Sequence, residues 1–170
     1  MNNDIIGVDT YDDIVKDILS NPEFQKLKSE PHHGISRYEH CLRVSKGSYL
    51  VVKSLRMKNL IGITRASLLH DFYTDNDLNG YNSYERLRVH PNVALKNARK
   101  FYDLNDMEAD SIVKHMFPHT KELPKYKETY LVSVMDKLVA SYEMVRFKAS
   151  LKLGIYLLFI YNVVSIKMQQ

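Results

Sequence analysis

Along most of the chain, apolar positions recur at steps of three and four, the spacing that gathers side chains on one face of an α-helix. Strand-like alternation is nearly absent. A first helix is expected from about Tyr11 to Leu19. Asn21, Pro22 and Glu23 then read as an N-cap, a first-turn proline and a first-turn carboxylate opening a short second helix. His32, His33 and Gly34 interrupt the pattern. From about Arg37 to Lys58 the periodicity predicts a long helix with two rows, one of Tyr38, Leu42, Ser45, Tyr49 and Val52, the other of His40, Val44, Gly47, Val51 and Leu55. On the second row His40 lies among apolar neighbours, and Gly47 has no side chain to hold a packed helix away.

The next helix, expected over about Ile61 to Tyr73, places Ile63, Ala66, His70 and Tyr73 on one face and ends in the polar turn Thr74 to Gly80. Pro91 disfavours the α conformation at His90, so a helix is expected to start at Pro91 with His90 at its mouth. Asn105 and Glu108 have the spacing of a capping box, and the helix they open ends at Phe117 and Pro118 with His115 on its last turn. Lys125 to Phe147 reads as another long helix. Leu131, Met135, Leu138, Tyr142 and Val145 form its apolar seam, with Val132, Asp136, Val139 and Glu143 beside it. A last apolar segment, Leu153 to Ile166, spans about 21 Å as a helix against a hydrocarbon core of about 30 Å, too short to cross a bilayer alone. The expected fold is therefore all-α. A bundle of six or seven helices occupies residues 1–149, and a basic, apolar helix or tail follows over 150–170.

Composition narrows the classes. With 170 residues and 45% hydrophobic content, the chain suits one domain with a real core. The single Cys41 excludes an internal disulfide and any cysteine-cluster zinc site. Asp4, Asp9, Asp12, Asp13 and Asp17 against Lys16 make the N-terminal segment unlike a secretory signal, so a cytoplasmic address is expected. The net charge of +4 resides entirely after residue 136, where Lys137, Arg146, Lys148, Lys152 and Lys167 face Glu143 alone. The remainder is neutral and shows no basic stripe with interleaved aromatics, so no nucleic-acid partner is expected.

The candidate chemistry lies in His40, His70, Asp71, His90, His115 and Asp136, spread over five expected helices, each on an apolar row, at a helix end or at the edge of a turn. Singly, each has an ordinary reading: His40 as a hydrogen-bonded core histidine, His90 as a capping residue, Asp136 as a buried partner of Arg or Lys. Together they are too many polar groups to satisfy pairwise around one core, whereas two divalent cations would satisfy them all. A set of imidazoles and carboxylates suits Fe, Mn, Co, Ni or Zn better than Mg or Ca.

The order His40, then His70-Asp71 after Leu68-Leu69, then Asp136-Lys137-Leu138 resembles the HD-domain superfamily of metal-dependent phosphohydrolases, over roughly Arg37 to Phe147. With His90 and His115 added, the pattern is similar to the six-ligand, two-metal branch. That branch includes diadenosine tetraphosphate hydrolases, whose first motif is similar to Arg37-Tyr38-Glu39-His40-Cys41-Leu42-Arg43-Val44, as well as cyclic-dinucleotide phosphodiesterases and mixed-valent di-iron oxygenases. The resemblance implies that His40, His70, Asp71 and Asp136 hold one metal and His90 and His115 the second, with Asp71 bridging. Two departures stand out: Thr74 replaces the lysine many two-metal HD enzymes have three residues after the HD aspartate, and no Gly-Tyr-Pro signature follows His115. Both argue against the cyclic-dinucleotide branch, and the first leaves the general acid unassigned; His119 is the candidate.

Two metals bridged by Asp71 would lower the pKa of a shared water and clamp phosphate oxygens, which makes hydrolysis of a nucleotide or other small phosphorylated compound the expected reaction. Arg37, Lys114 and Lys137, within one turn of the expected ligands, are candidates for phosphate contacts. The same ligands would serve a di-iron oxygenase or a non-catalytic nucleotide-binding module. For the last segment the alternatives are peripheral attachment to an anionic membrane or a helix packed on the domain or on a second subunit of a homodimer.

Overall fold

Five of the helix starts in this protein are set by side-chain caps. Thr10, Ser36, Asn82 and Asn105 each accept a hydrogen bond from the backbone N–H three residues on, and Asp13, Glu39, Glu85 and Glu108 in turn accept one from the cap's own N–H. These boxes open α1 (Tyr11–Ser20), α3 (Arg37–Ser54), α5 (Ser83–Ala98) and α6 (Asp106–Lys114), each cap stabilising its helix by about 1 kcal/mol. Asn21 caps the one-turn α2 (Pro22–Gln25), and α4 (Leu60–Leu69) and α7 (Lys127–Met168) complete the seven helices of the described residues. The fold is all-α, as expected. The computed structural model describes the backbone of residues 10–32 and 34–168, and their side chains through 158 and at 161; Asp4, Asp9, His33 and the side chain of Lys167 lie outside these.

The core forms where α1, α3, α4, α5 and α6 meet, around Ile14, Val15, Ile18, Phe24, Leu27, Leu68, Leu69, Phe72 and Ile112. Small side chains let α3 and α4 lie close together: Ser45 donates to the Thr64 carbonyl at 2.8 Å, and Ser48 and Ser67 are fully buried. A paired contact from Arg65 to both oxygens of Asp17, at 2.6 and 2.8 Å, fastens α1 to α4. Gly47 plays the part its row suggested. A Cβ there would lie 2.7 Å from the Met135 sulfur, so α3 and α7 approach as they do because that atom is missing.

Ahead of α3, a hairpin of β1 (Pro31–His32) and β2 (Ile35–Ser36) pairs antiparallel, with His32 opposite Ile35. Gly34 holds φ at +87°, and a Cβ on it would collide with the Phe147 ring, so glycine is required both for the turn and for seating the hairpin on α7.

Three expectations are corrected. The helix expected to begin at Pro91 begins at Ser83, with Pro91 in its interior. The Asn82 cap and packing on α6 outweigh a proline penalty of about 3 kcal/mol. The two helical segments expected after Lys125 form one helix, α7, about 63 Å long, because Lys148-Ala149-Ser150-Leu151-Lys152 contains no helix breaker. Finally, the seam of Leu138, Tyr142 and Val145 faces outward, while Val132, Asp136 and Glu143 on the adjoining row are buried. Satisfying Asp136 and Glu143 against His40 fixes the rotation of α7 and turns its apolar seam to solvent.

Replacing Gly47 with leucine should overpack the contact with Met135. The expected cost is about 1–3 kcal/mol, a Tm lower by roughly 2–10 °C in calorimetry. An unchanged Tm would mean that the two helices do not meet as described.

Candidate metal centre

Five helices deliver the six expected ligands to one buried place. His40 comes from α3, His70 and Asp71 from the end of α4, His90 from α5, His115 from the end of α6 and Asp136 from α7. All six are buried. The imidazole rings of His40 and His70 lie 5.3 Å apart between centroids, those of His70 and His115 4.9 Å, and those of His90 and His115 5.1 Å.

Local backbone chemistry aims three of these rings. His70 Nδ1 lies 2.8 Å from the Ser67 carbonyl, His90 Nδ1 2.8 Å from the Arg86 carbonyl, and His115 Nδ1 2.8 Å from the Ile112 carbonyl. A carbonyl only accepts, so each Nδ1 carries the proton, and in the neutral ring each Nε2 presents a lone pair. Ser67 and Ile112 lie in the last turns of α4 and α6, where carbonyls lack helical partners and are free to accept. The result is a set of acceptors facing one another. His90 Nε2 is 3.1 Å from His115 Nε2; Asp71 Oδ1 is 3.4 Å from the former and 3.6 Å from the latter. His70 Nε2 is 3.8 Å from Asp71 Oδ2 and 3.6 Å from Asp136 Oδ1. Asp71 Oδ1 and His70 Nε2 are buried without a hydrogen-bond partner. Leaving such atoms unpaired is costly, and a divalent cation is the group that relieves all of them.

The ligand atoms of His40, His70 and Asp136 lie within 4.8 Å of one another, as do those of His70, Asp71 and His115. The sequence model of the HD domain matches residues 37–141. The chain belongs to the HD-domain family. No curated protein and no solved structure matches it significantly. Divalent-metal binding is a property of HD-domain proteins, and the donor set here fits it.

Two residues of the centre lie outside the matched HD-domain span. Glu143, fully buried two turns after Asp136 on the same face of α7, accepts from His40 Nδ1 at 2.8 Å, while His40 Nε2 lies 3.2 Å from Asp136 Oδ1. Arg43 holds the other Glu143 oxygen at 3.1 Å. Where the other three rings hook onto carbonyls, His40 is oriented by a carboxylate, which also makes its Nε2 a stronger donor to a cation. His32, on β1, stacks 4.3 Å from His40 between ring centroids and falls within ligand distance of His40 and Glu143. The sequence reading placed Glu143 beside the seam and His32 in a break. The seven-residue step from Asp136 to Glu143 was the available signal for the first; nothing local marked the second.

Charge follows this arrangement. Burial opposes a charge on His40, but its hydrogen bonds to Asp136 and Glu143 prevail and raise its pKa to about 9. Burial and the neighbouring His70 push His115 down to about 3. Burial would raise Asp136, yet the hydrogen bond from the protonated His40 holds it well below the usual carboxylate range.

A cavity of about 420 Å³ opens onto the centre, lined by Asp71, His90, His115 and Asp136 together with Arg86, Lys137, His119 and the apolar Leu87, Met116 and Met144. Lys137 Nζ donates to the His115 carbonyl at 2.8 Å and to Ser133 Oγ at 2.9 Å, 3.9 Å from Asp136 Oδ2. The other two expected phosphate contacts do not line this cavity. Arg37 is buried, bonded to Glu30, Asp75 and the Tyr73 carbonyl, with its guanidinium 4.0 Å over the Tyr73 ring. Lys114 binds the Leu123 carbonyl and Asp110. Arg86, one turn before His90, is the cation that sequence reasoning missed, although the one-turn rule applied to the others reaches it.

With its pKa near 9, His40 is protonated at pH 7 in the metal-free protein, so a cation taking Nε2 must displace that proton. Titration calorimetry in buffers of different protonation enthalpy should read release of about one proton per His40 site filled at pH 7, vanishing as pH rises well past 9. No release at pH 7 would show His40 already neutral. Glu143→Gln removes the charge behind His40 and should weaken metal affinity about 10–100-fold in chelator competition; unchanged affinity would leave Glu143 only a packing role.

Proposed function

We propose that this HD-domain protein is a metal-dependent phosphohydrolase, using two divalent transition metals to cleave a phosphoester or phosphoanhydride bond of a nucleotide or other small phosphorylated compound. One observation carries the reading: Asp71, with a buried oxygen lacking any hydrogen bond, lies between the His90–His115 pair on one side and His70 on the other. That position supports Asp71 as the bridge, with His40, His70 and Asp136 as ligands of one cation and His90 and His115 as ligands of the other. When bound, such cations supply hydroxide near neutral pH and positive charge for phosphate oxygens.

The chain's own groups complete the chemistry. Arg86 and Lys137 bring positive charge to the cavity and would orient the phosphate, Arg86 by its planar fork and Lys137 as a point charge fixed by His115 and Ser133. His119, also on the cavity wall, would hold the proton that the leaving oxygen takes. Leu87, Met116 and Met144 offer an apolar wall to the organic part of the substrate, and the cavity volume is within the range of small-molecule sites.

Metal quantification on purified protein should give about two ions per chain, almost none in His70→Ala and about one in His90→Ala. Hydrolysis of nucleoside polyphosphates or p-nitrophenyl phosphate should cease on chelation and return with Mn or Co under anaerobic conditions. Turnover that needs dioxygen and an iron pair would overturn hydrolysis in favour of oxygenation, and binding without turnover would reduce the site to a nucleotide-binding module.

A further inference from the structure

Beyond Phe147, α7 leaves the helical bundle. Leu151, Leu153, Ile155, Tyr156, Leu157 and Tyr161 are each between 56 and 68% exposed. At roughly 100° per residue these side chains cover most of the helix circumference, leaving chiefly the line that carries Lys148 and Lys152 one turn apart. Arg146 lies just before them, and after Glu143 the chain has no acidic residue. An apolar surface of this extent is rare on a water-facing helix and calls for a covering partner.

The pattern discriminates between partners. A second copy of the chain would cover one stripe, roughly 100° wide, and leave the other apolar sides wet. In a parallel pairing it would also set Arg146, Lys148 and Lys152 near the same cations of its twin, with Glu143 buried against His40 and Arg43 and unable to compensate. The domain itself leaves these side chains exposed. A lipid surface meets both demands, because acyl chains pack around a helix from several sides and anionic headgroups match basic side chains whose stems reach up from the apolar layer.

We propose that α7 beyond Phe147 dips at an angle into one leaflet of an anionic lipid bilayer, with Leu151, Leu153, Ile155, Tyr156, Leu157 and Tyr161 among the acyl chains and Arg146, Lys148 and Lys152, at the near end, at the headgroups. No helix of the described residues is long and apolar enough to cross a membrane. Because Ala140 and Met144 of the same helix line the cavity, α7 ties the catalytic domain directly to this surface.

The test is flotation of the full chain, synthesised in the presence of preformed vesicles. Vesicles with about one third phosphatidylglycerol should carry the protein upward, and phosphatidylcholine vesicles should carry far less. The triple variant Arg146→Glu, Lys148→Glu, Lys152→Glu should lower the partition coefficient by at least about 100-fold, given the contribution of each basic residue near an anionic surface. Leu153→Ser with Ile155→Ser and Leu157→Ser should abolish flotation while metal content and domain unfolding stay unchanged. Flotation insensitive to charge, sedimentation with or without lipid, or a dimer by light scattering that excludes vesicle binding would each overturn the proposal, the last in favour of a second copy.

Discussion

Acceptor atoms packed against acceptor atoms are the constraint around which this molecule is built. Three imidazoles have their protons committed to backbone carbonyls, and their remaining nitrogens converge with Asp71 and Asp136 where water is largely excluded. In that state the centre is a concentration of negative potential, and the metal-free protein answers by holding a proton on His40. A cation answers it better, which is why the donor set and the HD-domain membership lead to the same chemistry.

The rest of the fold serves to hold those groups in place. Caps fix where α3, α5 and α6 begin, and so fix the phase at which His40, His90 and His115 emerge. The free carbonyls at the ends of α4 and α6 orient His70 and His115 without recruiting a side chain. Arg37, expected at phosphate, braces the Tyr73 ring, which stands 5.2 Å from that of His90. The largest adjustment falls on α7. Turning Asp136 and Glu143 inward places carboxylates where a bundle helix usually presents leucine, and puts Leu138, Tyr142 and Val145 outside. Amphipathicity yields there to the pairing of both carboxylates with His40, because an uncompensated buried carboxylate costs more than an exposed leucine.

The sequence was most informative where physics is local. The Asn105–Glu108 capping box, the proline-led α2 and the three-and-four spacing of α3 depend on neighbours a few residues apart, and they stand in the structure close to where they were expected. Pro91 misled because its local preference was overruled by the Asn82 cap nine positions upstream. The gathering of His40, His70, Asp71, His90, His115 and Asp136 could be anticipated because each was a polar group in an apolar setting. Their family resemblance supplied the order.

What the chain's order of residues determined by itself was the helical class, the starts of α1, α2, α3 and α6 and the identity of the six converging side chains, since each follows from short-range periodicity or from the cost of burying a polar group. Tertiary structure alone decided that Glu143 and His32 join His40, that Arg86 faces the cavity while Arg37 and Lys114 do not, and that α7 continues past the bundle. Those outcomes depend on the rotation and approach of helices distant in sequence, where a turn of one residue in phase exchanges a buried carboxylate for an exposed leucine.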